Sequence, residues 1–89
     1  MTVITLLTRP DCTTCEQAKT VLARVGEDHP LIIEEIAFDS ERGQSIATRL
    51  GVMFAPGVVI DGQLFGFGQL SERALRRALD QRISAPERK

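Results

Sequence analysis

Two cysteines, Cys12 and Cys15, are separated by Thr13 and Thr14 and lie between an extended apolar segment and an amphipathic helical pattern. A CxxC pair at the start of a helix can close a small disulfide ring. The unpaired N–H groups and the dipole of the helix N-terminus stabilise a thiolate on the first sulfur. Two thiolates at this spacing can also hold a soft metal ion. The pair therefore predicts either dithiol redox chemistry or metal binding.

The composition limits the chain to a small set of protein classes. It has 89 residues, of which 43% are hydrophobic, and a formal net charge of −1. A chain of this length buries one core, so we expect a single domain. The balanced charge argues against binding to nucleic acid or to a membrane surface, and no apolar run approaches the roughly 20 residues of a transmembrane helix. We expect a monomeric protein located in the cytoplasm. In that reducing compartment a CxxC pair is more often redox-active or metal-binding than structural.

The residues around the cysteines predict a strand, a helix and a second strand. Segment 3–7 is aliphatic and β-branched, which is typical of a strand buried on both faces. Pro10 ends this strand before the cysteines. Apolar residues from 13 to 25 recur along one helix face, and Gly26 can end the helix. A second strand over 31–38 would pair in parallel with the first, because a strand–helix–strand connection crosses over.

The second half of the chain predicts a hairpin between two helices. Asp61-Gly62 is a strong signal for a tight antiparallel turn, and apolar segments flank it. The expected elements are a helix capped by Asp39 or Ser40 and ended by Gly51, strands at 57–60 and 63–67, and a helix over 72–83 capped by Ser71. The order βαβαββα indicates an α/β domain at 1–83, followed by a flexible C-terminal tail at 84–89.

Three segments carry a resemblance to a known superfamily. The stretch TRPDCTTC at 8–15, Ala55-Pro56 followed by GVVIDG, and the later Gly66-Phe67-Gly68 resemble the active-site loop, cis-proline loop and hairpin of the glutaredoxin and thioredoxin superfamily. The resemblance covers nearly the whole chain in the right order. It implies a thioredoxin fold of the small glutaredoxin-like type, with a four-stranded mixed sheet flanked by three helices. It also implies a dithiol thiol–disulfide oxidoreductase that needs no cofactor.

The resemblance assigns roles to particular residues. Cys12 would be the nucleophile that attacks a protein disulfide, and Cys15 would resolve the mixed disulfide, so that the two form a redox-active disulfide. Pro56 is expected to follow a cis peptide bond. Arg9 should favour a thiolate on Cys12, whereas Asp11 should oppose it. Substrate binding would involve Arg9, Thr13, Ala55, Pro56, Gly66 and Phe67. The expected partners are protein disulfide substrates and a reductase or glutathione as electron donor.

The stretch that would bind glutathione departs from the glutaredoxin pattern. Glutaredoxins commonly have a Gly-Gly pair followed by an aspartate after the hairpin, and here the segment is Gly66-Phe67-Gly68-Gln69. The acidic residue is missing, and Phe67 would crowd a bound tripeptide. A protein disulfide is therefore the favoured substrate. Met53 and Phe54, just before the proline loop, could either line a substrate rim or pack in the core.

Other functions remain compatible with the sequence. One is a glutathione-dependent glutaredoxin, and another is a copper carrier that holds a soft ion through two thiolates. Copper carriers of this size have the order βαββαβ, however, and no proline loop facing the site. A structural zinc site needs four ligands, so we assign no metal site. A thioredoxin-like adaptor without catalysis is the last alternative.

Overall fold

The computed structural model describes residues 2–84 of the chain. Its elements are β1 (Thr2–Thr8), α1 (Thr13–Gly26), β2 (Leu31–Ala37), α2 (Glu41–Leu50), β3 (Gly57–Ile60), β4 (Gln63–Phe67) and α3 (Glu72–Ser84). The predicted order and the α/β class are confirmed. Helix α3 continues to Ser84, one residue past the predicted domain boundary, and the rest of the predicted tail, 85–89, lies outside the described residues.

The sheet has four strands in the order β2-β1-β3-β4. β1 runs parallel to β2, with Thr2 opposite Leu31, and antiparallel to β3, with Ile4 opposite Ile60. β3 and β4 form the antiparallel hairpin. β1 lies in the interior of the sheet because its aliphatic side chains can be buried on both faces. The cysteines, which follow β1 directly, are therefore placed at the middle of one sheet edge.

Burial on both faces of β1 is complete only toward its carboxyl end. Ile4, Leu6 and Leu7 are buried, but Val3 is 36% exposed. Val3 and Leu7 share a face, and the cluster on that face contains Leu7 but not Val3. The prediction of burial over 3–7 is wrong at Val3, because the helix on this side covers only the later part of the strand.

Two apolar clusters give the domain three layers. α1 and α3 pack on one face of the sheet through a cluster formed by Ile4, Leu6, Ala18, Val21, Leu22, Val25, Val58, Ile60, Leu70, Leu75 and Leu79. α2 packs on the opposite face through Ala47, in a smaller cluster with Leu7, Ile36 and Val52. The larger cluster holds α1 in place, so the orientation of the cysteine-bearing helix end follows from packing along its whole length.

Each helix begins at a side chain that accepts a backbone hydrogen bond. Ser40 accepts from the N–H of Gly43 at 3.0 Å, and Ser71 accepts from the N–H of Ala74 at 3.2 Å. At the start of α1 the capping side chain is Cys12. Gly51, with φ +81°, ends α2 in the left-handed conformation that glycine adopts readily. The N-cap residue of α1, Cys12, is therefore also a residue that can react.

The hairpin turn is fastened to the central strand. Asp61 and Gly62 have φ values of +49° and +84°, the pair of left-handed residues that a type I′ turn requires. The Asp61 carboxylate accepts from the N–H of Val3 at 2.8 Å, and the N–H of Asp61 donates to the Val3 carbonyl at 2.8 Å. These bonds fix β3 against β1, and with it the loop that enters β3 beside the cysteines.

Glu72 joins α1 to α3. Its carboxylate accepts from Arg24 Nη2 at 2.7 Å and from Arg76 Nε at 3.1 Å. Hydrogen bonds from Arg24 and Arg76 lower the pKa of Glu72 below its ordinary value. A carboxylate whose pKa is lowered by folding stabilises the fold above its unfolded pKa, and that contribution is lost as the pH falls through the folded pKa.

We therefore expect the stability of the protein to decline as the pH drops below about 4.3, the ordinary glutamate pKa. Glu72→Gln should make this decline shallower, and it should lower stability only slightly at neutral pH because the pairs are accessible to solvent. Urea unfolding midpoints between pH 7 and 3 would measure the effect. Glu27→Gln, which changes an exposed carboxylate that forms no salt bridge with the side chains of residues 2–81, is the control. An unchanged acid slope in Glu72→Gln would show that these pairs do not stabilise the fold.

No helix formed by residues 2–84 combines the length and the apolar character needed to cross a membrane.

Candidate active site

Cys12 and Cys15 are joined by a disulfide, with their Cα atoms 5.2 Å apart. The two sulfurs differ in environment. Cys12 is partly exposed at the N-cap of α1, whereas Cys15 lies on the inner face of the first turn and is 1% exposed. A reactant from solvent therefore reaches the sulfur of Cys12 before that of Cys15.

The Cys12 sulfur receives two hydrogen bonds. The backbone N–H of Cys15 donates to it at 3.1 Å, and the Thr14 hydroxyl lies 3.4 Å away. A disulfide sulfur carries no hydrogen, so the Thr14 hydroxyl is the donor in this contact. Both donors belong to the first turn of α1, where backbone N–H groups have no partner within the helix. They create a site that favours negative charge on this sulfur.

The charged groups near Cys12 are partly engaged elsewhere. Arg9 Nε lies 3.3 Å from Asp39 Oδ2, so its guanidinium is paired with a carboxylate. Asp11, with φ +54°, forms the tight turn just before Cys12. Asp11 and Glu16 line a shallow surface depression together with Cys12 and Thr13. Carboxylates that line the same depression as Cys12 oppose a thiolate on it, and the positive charge of Arg9 that would offset them is paired with Asp39.

A second charged group lies one turn further along α1. Lys19 Nζ contacts Glu16 Oε2 at 3.2 Å and Glu35 Oε2 at 3.1 Å. The Thr8 hydroxyl donates to the same Glu35 oxygen at 3.0 Å. Hydrogen bonds from Lys19 and Thr8 lower the pKa of Glu35, and those to Glu35 and Glu16 raise the pKa of Lys19. The Glu16 charge is thus partly neutralised by Lys19.

The loop that enters β3 faces the cysteine loop across a cleft. The peptide bond between Ala55 and Pro56 is cis, and the Pro56 side chain is fully buried. The Pro56 carbonyl accepts from the N–H of Gly68 at 2.8 Å, which joins this loop to the end of β4. Gln17 in turn forms two hydrogen bonds with the backbone of Leu70, at 3.0 and 3.3 Å. The proline loop, the end of β4 and α1 are thereby held together around the disulfide.

The candidate substrate-binding residues are divided between two neighbouring clefts. Arg9, Thr13 and Ala55 line a cleft of about 420 Å³ that also contains Cys12. Gly66 and Phe67 line a second cleft of about 260 Å³ along the end of β4. Pro56 lines neither, so a substrate would meet this loop through Ala55 and its backbone.

An aromatic pair connects the two clefts. Phe54 lines the first cleft and Phe67 the second, and their rings meet edge to face with centroids 4.9 Å apart. Phe54 is 54% exposed, Phe67 36% and Met53 73%. Of the rim and core positions that the sequence allowed, Phe54 occupies the rim of the first cleft, and Met53 is exposed rather than packed in the core. Their place two and three residues before the proline was the signal available in the sequence.

The described part of the chain contains no group of three or more histidine, cysteine, aspartate or glutamate side chains arranged to hold a metal ion. The two thiols of the CxxC pair are joined in the disulfide. The site combines an accessible sulfur with hydrogen-bond donors, a buried second sulfur bonded to it, and an apolar rim beside them. These features allow it to carry out thiol–disulfide exchange.

Comparison with known proteins agrees with this chemistry. A family model described as "Thioredoxin domain" matches residues 2–80. A thioredoxin from Methanocaldococcus jannaschii is 30% identical over 80 residues, which make up 90% of this chain and 94% of that protein.

Solved structures show the same fold. A point mutant of a thioredoxin from Halobacterium salinarum superimposes with a TM-score of 0.70 at 23% identity, over 90% of this chain and 73% of that one. The oxidised mitochondrial thioredoxin 3 of Saccharomyces cerevisiae gives a TM-score of 0.68 at 20% identity, over 90% and 77% of the two chains. At these identities the similarity establishes the fold alone, and this confirms the fold that the sequence predicted.

Proposed function

Because the chain belongs to the thioredoxin domain family and is a thiol–disulfide oxidoreductase, we propose that it reduces disulfide bonds in proteins, with Cys12 attacking and Cys15 resolving. The observation that carries this proposal is the exposed aromatic rim that continues from the Cys12 cleft. A rim of this kind offers contact area to a polypeptide beside the reacting sulfur.

The proposed reaction transfers two electrons from the dithiol to the substrate. The Cys12 thiolate attacks one sulfur of the substrate disulfide; the bond between the substrate sulfurs breaks, and the released thiolate takes a proton. Cys15, once deprotonated, attacks the Cys12 sulfur and releases the second substrate thiol. The substrate is reduced, and the Cys12–Cys15 disulfide seen here is the oxidised product.

The two sulfur environments support this division of roles. Cys12 is the accessible sulfur and has two hydrogen-bond donors, so its thiolate is stabilised where a substrate can reach it. Cys15 is buried in the apolar face of α1, where a free thiolate would be disfavoured by desolvation. It can still reach the Cys12 sulfur, since the two already form a bond.

Phe54 and Phe67 support a protein rather than glutathione as the substrate. The two rings occupy the rim next to Ala55, where an extended peptide could lie along the edge of the proline loop. Buried aromatic contacts are worth more to an apolar polypeptide segment than to a small charged tripeptide. Arg9, which could meet a glutathione carboxylate, is already paired with Asp39.

We expect Phe54→Ala and Phe67→Ala each to lower kcat/KM for insulin disulfides by about tenfold, since truncating a contacting aromatic side chain costs ~1–2 kcal/mol of binding. The loss should fall mainly on KM. Reduction of a small disulfide such as 5,5′-dithiobis(2-nitrobenzoate) should be almost unchanged. Steady-state insulin reduction with dithiothreitol as donor, and stopped-flow reaction of the pre-reduced protein with the small disulfide in the absence of free donor, would measure the two effects.

Ile32→Ala is the matched control for the aromatic variants, because Ile32 is an apolar residue at the far end of the sheet whose exposure, 49%, lies between those of Phe54 and Phe67. It should leave both rates unchanged. Equal losses on insulin and on the small disulfide would mean that the rings support the disulfide itself rather than a bound polypeptide. A wild-type preference for glutathione mixed disulfides would instead favour the glutathione-dependent alternative.

The remaining features of the proposal concern the setting of the reaction. We propose residues 1–83 as the functional unit, acting as a monomer in the cytoplasm, where dithiol oxidoreductases stay reduced. The electron donor would be a reductase or glutathione. Arg9 is paired with Asp39, and Asp11 and Glu16 lie beside Cys12. These charges are compatible with either donor.

A further inference from the structure

The contact between Thr14 and Cys12 is not explained by helix capping alone. The backbone N–H of Cys15 already satisfies the N-cap geometry, with Cys12 as the acceptor. The Thr14 side chain adds a second donor at 3.4 Å on the same sulfur. Thr14 is exposed, so its hydroxyl could face water instead at no cost in packing. The hydroxyl nevertheless lies toward the sulfur.

The charges around Cys12 make such a neutral donor significant. In the loop before α1, Arg9 is paired with Asp39, and Asp11 carries a negative charge. On α1 the nearest charge is Glu16, which Lys19 contacts at 3.2 Å. The proline loop contributes Phe54 and Ala55 to the cleft, and neither can be charged. None of these groups supplies an unshared positive charge to the sulfur, so dipolar donors must stabilise its anionic form.

We propose that the Thr14 hydroxyl is a dedicated hydrogen-bond donor to the Cys12 thiolate, and that it increases both the thiolate fraction and the oxidising power of the pair. This inference rests on the proposed role of Cys12 as the attacking thiol. A hydrogen bond to an ionised acceptor is roughly twice as strong as one to a neutral acceptor. The bond therefore stabilises the reduced thiolate more than the disulfide.

The Thr14 hydroxyl acts on the reaction without transferring a proton. Thr14 keeps its proton while the Cys12 thiolate forms a bond to one substrate sulfur and the bond between the two substrate sulfurs breaks. When a donor dithiol reduces the oxidised protein, electrons return to the two sulfurs and the developing charge on Cys12 is met by the same hydroxyl. Removing the hydroxyl should thus raise the pKa of the Cys12 thiol and make the reduction potential of the pair more negative.

Three single substitutions isolate the hydroxyl. Thr14→Val removes it at constant shape, Thr14→Ser keeps it, and Thr13→Val makes the same change one residue earlier, at a hydroxyl that forms no hydrogen bond to a sulfur among residues 2–81. Each is made in a Cys15→Ser background, so that Cys12 alone titrates, and its pKa is read from the pH dependence of alkylation by iodoacetamide. We expect Thr14→Val to raise this pKa by about one unit, a tenfold loss of thiolate below the pKa. Thr14→Ser and Thr13→Val should stay near the parent value.

Reduction potentials, measured with both cysteines present against dithiothreitol, provide a readout that a merely structural role would not move. Thr14→Val should shift the potential to more negative values, and Thr13→Val should not. An unchanged Cys12 pKa in Thr14→Val, or an equal rise in Thr13→Val, would overturn the inference while leaving Cys12 as the nucleophile. If alkylation in a Cys12→Ser background shows that Cys15 is the more acidic thiol, the role assignment and the inference both fail.

Discussion

Replacing Cys12 with serine is expected to reduce the rate of insulin disulfide reduction to that of dithiothreitol alone. The reaction begins with a thiolate, and a serine hydroxyl is not ionised at neutral pH even beside the two donors that surround Cys12. The one cysteine that remains in this variant, Cys15, is 1% exposed, so a substrate disulfide cannot reach it. The loss should therefore be complete rather than partial. Turbidity of the precipitating insulin B chain measures it directly.

Replacing Cys15 with serine should have a different outcome. Cys12 can still attack, but nothing releases it from the mixed disulfide, so a covalent adduct between the protein and its substrate should accumulate. Intact-mass measurement after mixing with oxidised insulin would detect this adduct. The variant that carries both Cys12→Ser and Cys15→Ser should form none. The opposite pattern, with adducts in Cys12→Ser and none in Cys15→Ser, would show that the two roles are reversed.

The parts of the fold that were predictable depend on local signals. Asp61-Gly62 determined the hairpin through its backbone conformation, and the apolar periodicity of α1 placed Cys15 on the buried face. The predicted cap at Ser40 was one of two alternatives, and only the contact with Gly43 distinguishes it from Asp39. These features could be read from the sequence because each depends on residues within about one helical turn.

Other features depend on which elements meet in space, and sequence patterns do not report that. The pairing of Arg9 with Asp39 brings together the loop after β1 and the loop after β2, so the charge near Cys12 differs from the one that neighbours in sequence suggest. Phe54 meets Phe67 because β4, antiparallel to β3, returns the chain beside the proline loop. The exposure of Val3 follows from the shortness of α2, which no property of segment 3–7 could indicate.

The position of each part of the active site depends on a different set of packed elements. The CxxC motif and the proline loop are short segments, but their distance is set by β1 pairing with β3, and the tilt of α1 is set by packing against β1 and α3. α2 covers the opposite face near the carboxyl end of β1, where the cysteine loop begins. A change that displaces α2 should therefore destabilise the domain, because α2 packs against the part of β1 that supports the active-site loop.

Gly43→Ala is expected to be the most destabilising of the glycine-to-alanine changes in this protein. Gly43 lies in the first turn of α2, where Ser40 accepts its N–H and Gln44 donates to the Phe38 carbonyl at 2.9 Å. A Cβ at this position would overlap the carbonyl oxygen of Ala37 and approach that of Phe38 to 2.8 Å. These obstacles are backbone atoms, which cannot rotate aside as a flexible side chain can. The clash should cost about 3 kcal/mol, the upper end of the usual range for overpacking.

Gly26→Ala is the matched control, because it adds the same methyl group to a glycine in another helix. There the new Cβ would meet only Leu31 Cδ1, at 4.0 Å. Alanine is favoured over glycine within a helix by up to ~1 kcal/mol, so this variant should be as stable as the wild type or slightly more so. Helix propensity favours both changes, and what distinguishes them is the clash of the Gly43 Cβ with the backbone carbonyls of Ala37 and Phe38. Thermal unfolding should show a Tm lower by about 10–20 °C for Gly43→Ala and no decrease for Gly26→Ala. Equal stabilities would mean that the first turn of α2 can move away from the end of β2, and that the close approach is not required by the fold.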